Sequence, residues 1–312
     1  MTTYYNHHQL QKLLALNPPA LMLDKVCVEN GENGRKAQGI KNVSIAEEFF
    51  IGHFPGSPIM PGVLQITGMF QTAKTAILET AKDAFSGNWQ LTNINRIKFR
   101  NPVYPGDQLK ITVETEAQTE NKFTVKAWAE TNGVIASQGN LEITRNGYTD
   151  RTMETEPFNP PLPTGSENGG EPKSCDVTEL MCLIPHRYPF LLVDRVLNMN
   201  SEKGEVIGLK NITGNEPFFQ AGQSDFLPPE LQAEIAAQIG CSMAMDRADR
   251  DSKIAYFMSI DDATFYSPAL PGDQLVAYIT IDARSKFGKG SGVLKVGDQV
   301  ISEIKLKFAI VP

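Results

Sequence analysis

The feature that most constrains this chain is that it is one unit written twice. PVYPGDQL at 102–109 returns as PALPGDQL at 268–275, IKNVSIAEEFF at 40–50 as LKNITGNEPFF at 209–219, and ALMLDKV at 20–26 as FLLVDRV at 190–196. The matches keep their order and nearly their spacing: Asp24 and Asp194 are 170 positions apart, Phe50 and Phe219 are 169 apart, and Pro105 and Pro271 are 166 apart. Ordered self-similarity of this kind marks a duplication. Whatever fold one copy adopts, the other is expected to share.

The copies divide the chain into residues 1–148, a stretch 149–174 and residues 175–312. The middle stretch is rich in Pro, Gly, Ser, Thr and acid without hydrophobic periodicity, so it reads as a linker. Its length allows a span of roughly 85 Å when extended. Each copy runs through the same coarse order. A short helix comes first (HHQLQKLLAL, DVTELMCLI), with His7 and His8 as a solvated helix start. Two strands follow (LMLDKVCVEN and RKAQGIKNV; LLVDRVLNMN and GEVIGLKNI). A Pro-rich loop then leads to a long helix over 61–83 or about 229–248, with Pro61 and Pro229 at first-turn positions that tolerate proline. Three or four closing strands are punctuated by GDQ and NG turns. One long helix among mostly antiparallel strands predicts an α+β unit with the sheet wrapped around the helix.

Composition narrows the function. The chain has 312 residues, 41% of them hydrophobic and 21% charged, which suits a soluble globular protein with a true core. A formal charge of −7 argues against nucleic acid and anionic membranes as partners, because phosphate neutralisation needs clustered Lys and Arg. Cys27, Cys175, Cys182 and Cys241 show no C-x-x-C or zinc spacing, so free thiols in a reducing cytoplasm are expected. The N-terminal stretch lacks a basic lead and a long apolar run, so no signal peptide is expected. No run reaches the ~18 apolar residues of a membrane span.

LIPHRYPFLLVDRV at 183–196, KNITGNEPFF at 210–219, GHFPGSPIMPGVL at 52–64 and the two PGDQL segments resemble the (3R)-hydroxyacyl-acyl-carrier-protein dehydratases of fatty-acid synthesis. The resemblance covers nearly all of the chain outside the linker. It implies the hot-dog fold, here a double hot dog: two antiparallel sheets, each wrapped around a long central helix, forming an intramolecular pseudo-dimer. In that family each active site lies at a dimer interface. It takes a histidine from the Pro-rich loop of one subunit and, from the central helix of the other, a glutamate fourteen positions after the histidine in the same chain.

Counting fourteen from His53 reaches Thr67, so the first copy keeps the family's histidine without its glutamate. In the second copy, aligning Leu231 with Leu64 and Gln238 with Gln71 sets Glu234 opposite Thr67. Its loop, two residues shorter, has no histidine; Gly222 or Gln223 falls nearest that place. The losses are complementary. One composite site is expected, His53 facing Glu234, and a degenerate mirror site around Thr67 and Gln223 with neither base nor acid. A neutral imidazole, with a pKa near ~6.5, suits removal of a proton beside a thioester carbonyl. Hydroxide leaves badly unless protonated, so Glu234 is expected to be held protonated or to share a proton with a water, and its apolar neighbours Ala233, Ile235, Ala236 and Ala237 favour the neutral carboxyl. The resemblance assigns enolate stabilisation to the Gly62 N–H, at a helix start where N–H groups lack intrahelical partners. It also sets Phe54, Pro55 and Tyr256 beside the substrate, although core packing accounts for Tyr256 nearly as well.

Other singled-out residues take plainer readings. Glu230 reads as a first-turn carboxylate serving the helix dipole. His186 reads as packing of an entry strand, and Asp24 and Asp194 as strand-end hydrogen-bond acceptors. Arg96, Lys98 and Arg100 alternate along one strand and so share a face. They are either a docking patch for an acidic acyl carrier protein bearing 3-hydroxyacyl-phosphopantetheine or an ordinary solvated face. No cofactor and no metal is implied. Two rival readings stay open: a coenzyme A ester hydratase or thioesterase of the same fold, and a non-catalytic acyl-binding module. Chain length, pathway and further homo-oligomerisation are not encoded in any motif.

Overall fold

The computed structural model describes residues 1–31, 34–80, 88–149, 151, 162, 173–217, 225–247, 254–284 and 287–311. Most of the expected linker, together with 81–83, Gly222, Gln223 and residue 248, lies outside them.

The first half runs β1 (Thr2–Asn6), α1 (His7–Leu14), β2 (Lys25–Gly31), β3 (Gly34–Asn42), α2 (Phe49–Gly52), α3 (Gly62–Thr80), β4 (Trp89–Phe99), β5 (Gln108–Gln118), β6 (Lys122–Thr131) and β7 (Val134–Arg145). The second runs β8 (Lys173–Cys175), α4 (Val177–Leu183), β9 (Arg195–Asn200), β10 (Glu205–Asn211), α5 (Pro229–Arg247), β11 (Ile254–Phe265), β12 (Gln274–Arg284), β13 (Phe287–Val296) and β14 (Gln299–Val311). The short opening helices are set by their caps. Asn6 and Asp176 each form a capping box with the residue three positions on, Gln9 and Glu179, which satisfies otherwise orphaned N–H groups. His7 and His8 do lie at the start of α1.

The expectation of two separate sheets is corrected. All strands join one 14-stranded sheet, seven from each half, in the order β1-β2-β3-β5-β6-β7-β4-β11-β14-β13-β12-β10-β9-β8. The halves meet where β4 pairs antiparallel with β11, with Ile97 opposite Ile260 and Ile94 opposite Ala263. The repeat offset of 166 exchanges these two pairs, so the seam carries an approximate two-fold axis. Asn93 Nδ2 donates across it to Asp262 Oδ1 and Thr264 Oγ1, both at 3.0 Å. Motif matching located the copies but carried no information on which edge strands find each other.

Each long helix is wrapped by its own half's strands: α3 by β2, β3, β5, β6 and β7, and α5 by β10 to β14. The wrapping explains why α5 is buried on nearly every side, with Leu231, Ala233, Ile235, Ala236 and Ile239 at 1% exposure or less. Helix and sheet approach closely at paired glycines. A Cβ on Gly39 would stand 2.4 Å from Thr72, and one on Gly208 2.4 Å from Ile239. The entry strands are tied to the helices by a duplicated amide. Gln71 accepts from Met22 N and donates to Ala20 O; Gln238 accepts from Leu192 N and donates to Phe190 O. The strand-end carboxylates behave as expected, Asp24 accepting from Asn42 N and Asp194 from Asn211 N, each at 2.6 Å.

The ends of the expected linker are described, and Thr149 N donates to Tyr266 O at 2.8 Å. Lys173–Cys175 form the edge strand β8 against β9. Arg151 crosses to the second half and grips Asp273, its Nη2 donating to Oδ1 at 3.1 Å and its Nη1 donating to Pro268 O at 3.1 Å. Their side chains are 1% and 4% exposed. Removing one partner of such a pair strands the other charge away from water, at a cost of about 3–5 kcal/mol. Arg151→Ala should therefore lower the urea-unfolding free energy by about that amount, whereas a change within ~0.5 kcal/mol, as for a surface site, would show the pair to be inert.

Candidate active site

The site is assembled from a loop of the first half and a helix of the second, held together by backbone. After α2, the segment closes on itself: Ile59 N donates to His53 O, and Phe54 and Ser57 exchange N–H···O bonds around Gly56, whose φ of 78° suits glycine. At the loop's start, Arg187 N donates to Gly52 O at 3.0 Å, and a Cβ on Gly52 would stand 2.0 Å from Arg187 O. The first half's loop is thus clamped onto the second half's HRYPF segment, and only glycine permits the approach.

This clamp brings three titratable groups together. A ring nitrogen or carboxylate oxygen from each of His53, His186 and Glu234 lies within 4.8 Å of the others. His53 Nδ1 lies 2.7 Å from Ile59 O. A carbonyl only accepts, so Nδ1 carries the hydrogen and Nε2 keeps a free lone pair. The ring stacks on Phe54 with centroids 3.9 Å apart and meets Phe190 edge-on at 5.4 Å. Glu234, 5% exposed, accepts from Gln238 Nε2 at 2.9 Å, and its Oε1 lies 3.4 Å from His186 Nε2.

These surroundings set the charges. Burial pushes the His53 imidazole down to about 4, with Glu234 opposing and His186 reinforcing the shift, so its resting form at neutral pH is the base. Burial alone would push the Glu234 carboxyl up, as its apolar neighbours suggest. The His186 hydrogen bond and charge, with His53 and Gln238, outweigh burial and hold it below the usual carboxylate range. The expectation of a plainly neutral acid is corrected. His186 likewise does more than pack an entry strand: it faces the carboxyl. It lies 133 positions from His53 and 48 from Glu234, so no spacing rule could join them; the repeat offered one hint, since the first copy has NPPALML where the second has HRYPFLLV.

A cavity of about 350 Å³ opens onto these groups, lined also by Gly62, Gln65, Phe99, Arg100, Cys241 and Tyr256. Gly62 heads α3, where a Cβ would strike the Phe99 ring at 2.6 Å. Tyr256, 47% exposed, stands at the cavity edge. Pro55 is exposed and does not line the cavity, because the turn around Gly56 carries it outward. Arg96, Lys98 and Arg100 are all exposed. Arg96 lies at a bulge with φ 53°, so the regular alternation is interrupted there, and only Arg100 of the three reaches the cavity. Two histidines and a carboxylate form a donor set that a divalent cation could take, which the sequence reading did not foresee.

The mirror position also departs from expectation. Thr67 faces a carboxyl after all: its Oγ1 donates to Glu230 Oε1 at 2.5 Å. Glu230 does lie in the first turn of α5, and there it is buried, 2% exposed. Gln223 lies outside the described residues.

The FabA-like domain model matches residues 15–140 and 184–305. The 3-hydroxyacyl-[acyl-carrier-protein] dehydratase FabZ of Geobacillus thermodenitrificans (strain NG80-2) is 37% identical over 138 residues, 43% of this chain and 94% of the relative. That of Roseiflexus castenholzii (strain DSM 13941 / HLO8) is 42% identical over 139 residues, 43% and 96%. Among solved structures, the dehydratase domain from the CurJ module of curacin polyketide synthase aligns with TM-score 0.61 at 14% identity, covering 93% of this chain and 96% of that one. The dehydratase domain of a mycocerosic acid synthase-like polyketide synthase aligns with TM-score 0.62 at 13% identity, covering 94% and 97%. At these identities the structural likeness concerns the fold.

The depressed His53 value is open to direct measurement. A ¹³C-edited NMR titration should give this ring a midpoint near about 4, against ~6.5 for an unperturbed imidazole. Because the unfolded chain takes the proton first, folding stability from this group is complete above ~6.5 and is lost as pH falls toward about 4. His186→Leu removes the main group holding Glu234 down, so the carboxyl titration should move up; an unmoved midpoint would mean that His186 does not control it.

Proposed function

The chain belongs to the family of FabA-like domains, and on that premise we propose that it removes water from (3R)-3-hydroxyacyl thioesters on acyl carrier protein, giving trans-2-enoyl thioesters, at a single composite site. The two halves act as the intramolecular counterpart of a dimer. The observation that carries this reading is the convergence of His53 and Glu234, 181 positions apart in sequence, on one cavity within 4.8 Å.

The chemistry follows from the charges. With Nδ1–H turned to Ile59 O, the neutral His53 Nε2 takes the C2 proton of the substrate. The electron pair left at C2 spreads onto the thioester oxygen, which the Gly62 N–H and the N-terminal end of α3 stabilise. The C3–O bond then breaks, C2 and C3 become doubly bonded, and the departing oxygen takes a proton from the Glu234–His186 pair to leave as water. With the carboxyl itself held low, the proton delivered is the one the pair holds between Glu234 Oε1 and His186 Nε2, 3.4 Å apart, and it passes to the stronger base, the leaving hydroxide. Return of the proton from His53 to the pair over less than 4.8 Å resets the site.

Carrier docking is proposed at Arg96, Lys98 and Arg100, supported by Arg100 standing at the cavity mouth while the second half has Asp262, Thr264 and Tyr266 at the corresponding positions. A basic rim there steers an acidic carrier to the composite site and not to its mirror.

His53→Ala and Glu234→Gln should each lower the dehydration rate by about 10²–10⁴, with cooperative unfolding preserved, as read by mass loss of one water from a 3-hydroxyacyl carrier protein. Thr67→Glu should create no second site. Activity persisting in both single variants would discard the pair. Reversing the charge at Arg96 and Arg100 should raise KM for the carrier-bound substrate with little effect on kcat, and an unchanged KM would remove the docking patch.

A further inference from the structure

A second cavity of about 420 Å³ lies on the other side of the seam's two-fold axis. Five positions of its walls repeat those of the first. Thr67, Phe70, Gln71, Lys74 and Gln90 line it where Glu234, Ala237, Gln238, Cys241 and Tyr256 line the first. Among the described residues the reactive groups are gone while the cavity is kept, and the second copy supplies Glu230.

Glu230 is 2% exposed and lines this cavity. Its Oε1 accepts from Thr67, while its Oε2 is buried without a hydrogen-bond partner among the described residues. The neighbouring polar groups are committed elsewhere: Gln71 to Met22 N and Ala20 O, and the Tyr148 hydroxyl to Leu91 O. A buried oxygen left unpaired costs about 1–3 kcal/mol, so a ligand that pairs it gains correspondingly. Burial pushes this carboxyl up, with the Thr67 bond opposing, which favours the form whose free oxygen can donate. The walls around it, among them Met22, Phe70 and Phe226, are apolar; Glu48 and Asp225 at the lining disfavour an anionic head, and Lys74, which lies over the Phe70 ring at 5.8 Å, has its charged form disfavoured by burial.

We infer that this second cavity is a non-catalytic acyl site, taking an apolar chain with a neutral carbonyl group whose oxygen pairs with Glu230 Oε2. The acyl class rests on the dehydratase reading of the first cavity, and the position and polarity of the site rest on its own residues. Acyl chains held here are spared elimination, because no imidazole lines this cavity among the described residues.

The test is calorimetric titration of the full chain with decanoyl-pantetheine, which lacks a 3-hydroxyl and cannot turn over, and in parallel with decanoate. The intact protein should bind two equivalents of the thioester. Phe70→Trp, filling the second cavity, should bind one and keep its dehydration rate. Cys241→Trp, filling the first, should bind one and lose turnover. Glu230→Leu, which keeps the apolar volume, should weaken the second equivalent about tenfold and covers the case in which Phe70→Trp does not fold. One equivalent in the intact protein, two in a folded Phe70→Trp, an unaffected second equivalent in Glu230→Leu, or a second site that takes decanoate in preference to the thioester would each overturn the inference. Two equivalents without any dehydration of a 3-hydroxyacyl substrate would instead sink the catalytic reading and leave this site standing.

Discussion

The structure depends on the pairing of β4 with β11. Backbone hydrogen bonds at this seam fuse two seven-stranded sheets into one and fix the two-fold relation between the halves. Once that relation is fixed, the first half's Pro-rich loop faces the second half's long helix. The meeting of His53 with Glu234 is thus a by-product of strand register. Each side of the seam presents a slot, and the substitutions since duplication have given the two slots different contents.

Electrostatics separates those contents further. In the first slot, burial works against charge on His53 and in favour of a neutral Glu234, but the carboxyl has His186, His53 and Gln238 around it and yields to them. In the second, Glu230 has Thr67 and burial prevails. The same kind of residue on the same helix, one turn apart, is therefore pushed in opposite directions by its neighbours. The apolar run around Glu234 pointed toward a neutral acid because the sequence exposes only neighbours along the helix. The decisive neighbour, His186, comes from a segment before β9.

Much was legible because the chain repeats itself. The duplicated motifs located both long helices, the strand-end aspartates and the turns after Pro105 and Pro271, since those features are local and carry turn or cap chemistry. The meeting of His53 with Glu234 was legible because the family resemblance supplied the fourteen-residue spacing and the two aligned copies showed complementary losses against it. The single continuous sheet was not, because edge-strand pairing is a long-range choice. Nor was the burial of Glu230, because whether a first-turn carboxylate meets water or a neighbour depends on the half across the seam. Pro55 fell outside the site for a local reason, the turn at Gly56, which a family string alone does not resolve.

The Arg151 anchor has one more implication. The connecting segment leaves the first half already docked on its neighbour, so the two halves meet at an effective concentration set by covalent attachment rather than by expression level. Self-recognition between separate molecules is then unnecessary, and with it the demand that both faces of the seam stay alike. A single gene can store unlike instructions for left and right, which a symmetric pair of identical subunits has no means of doing.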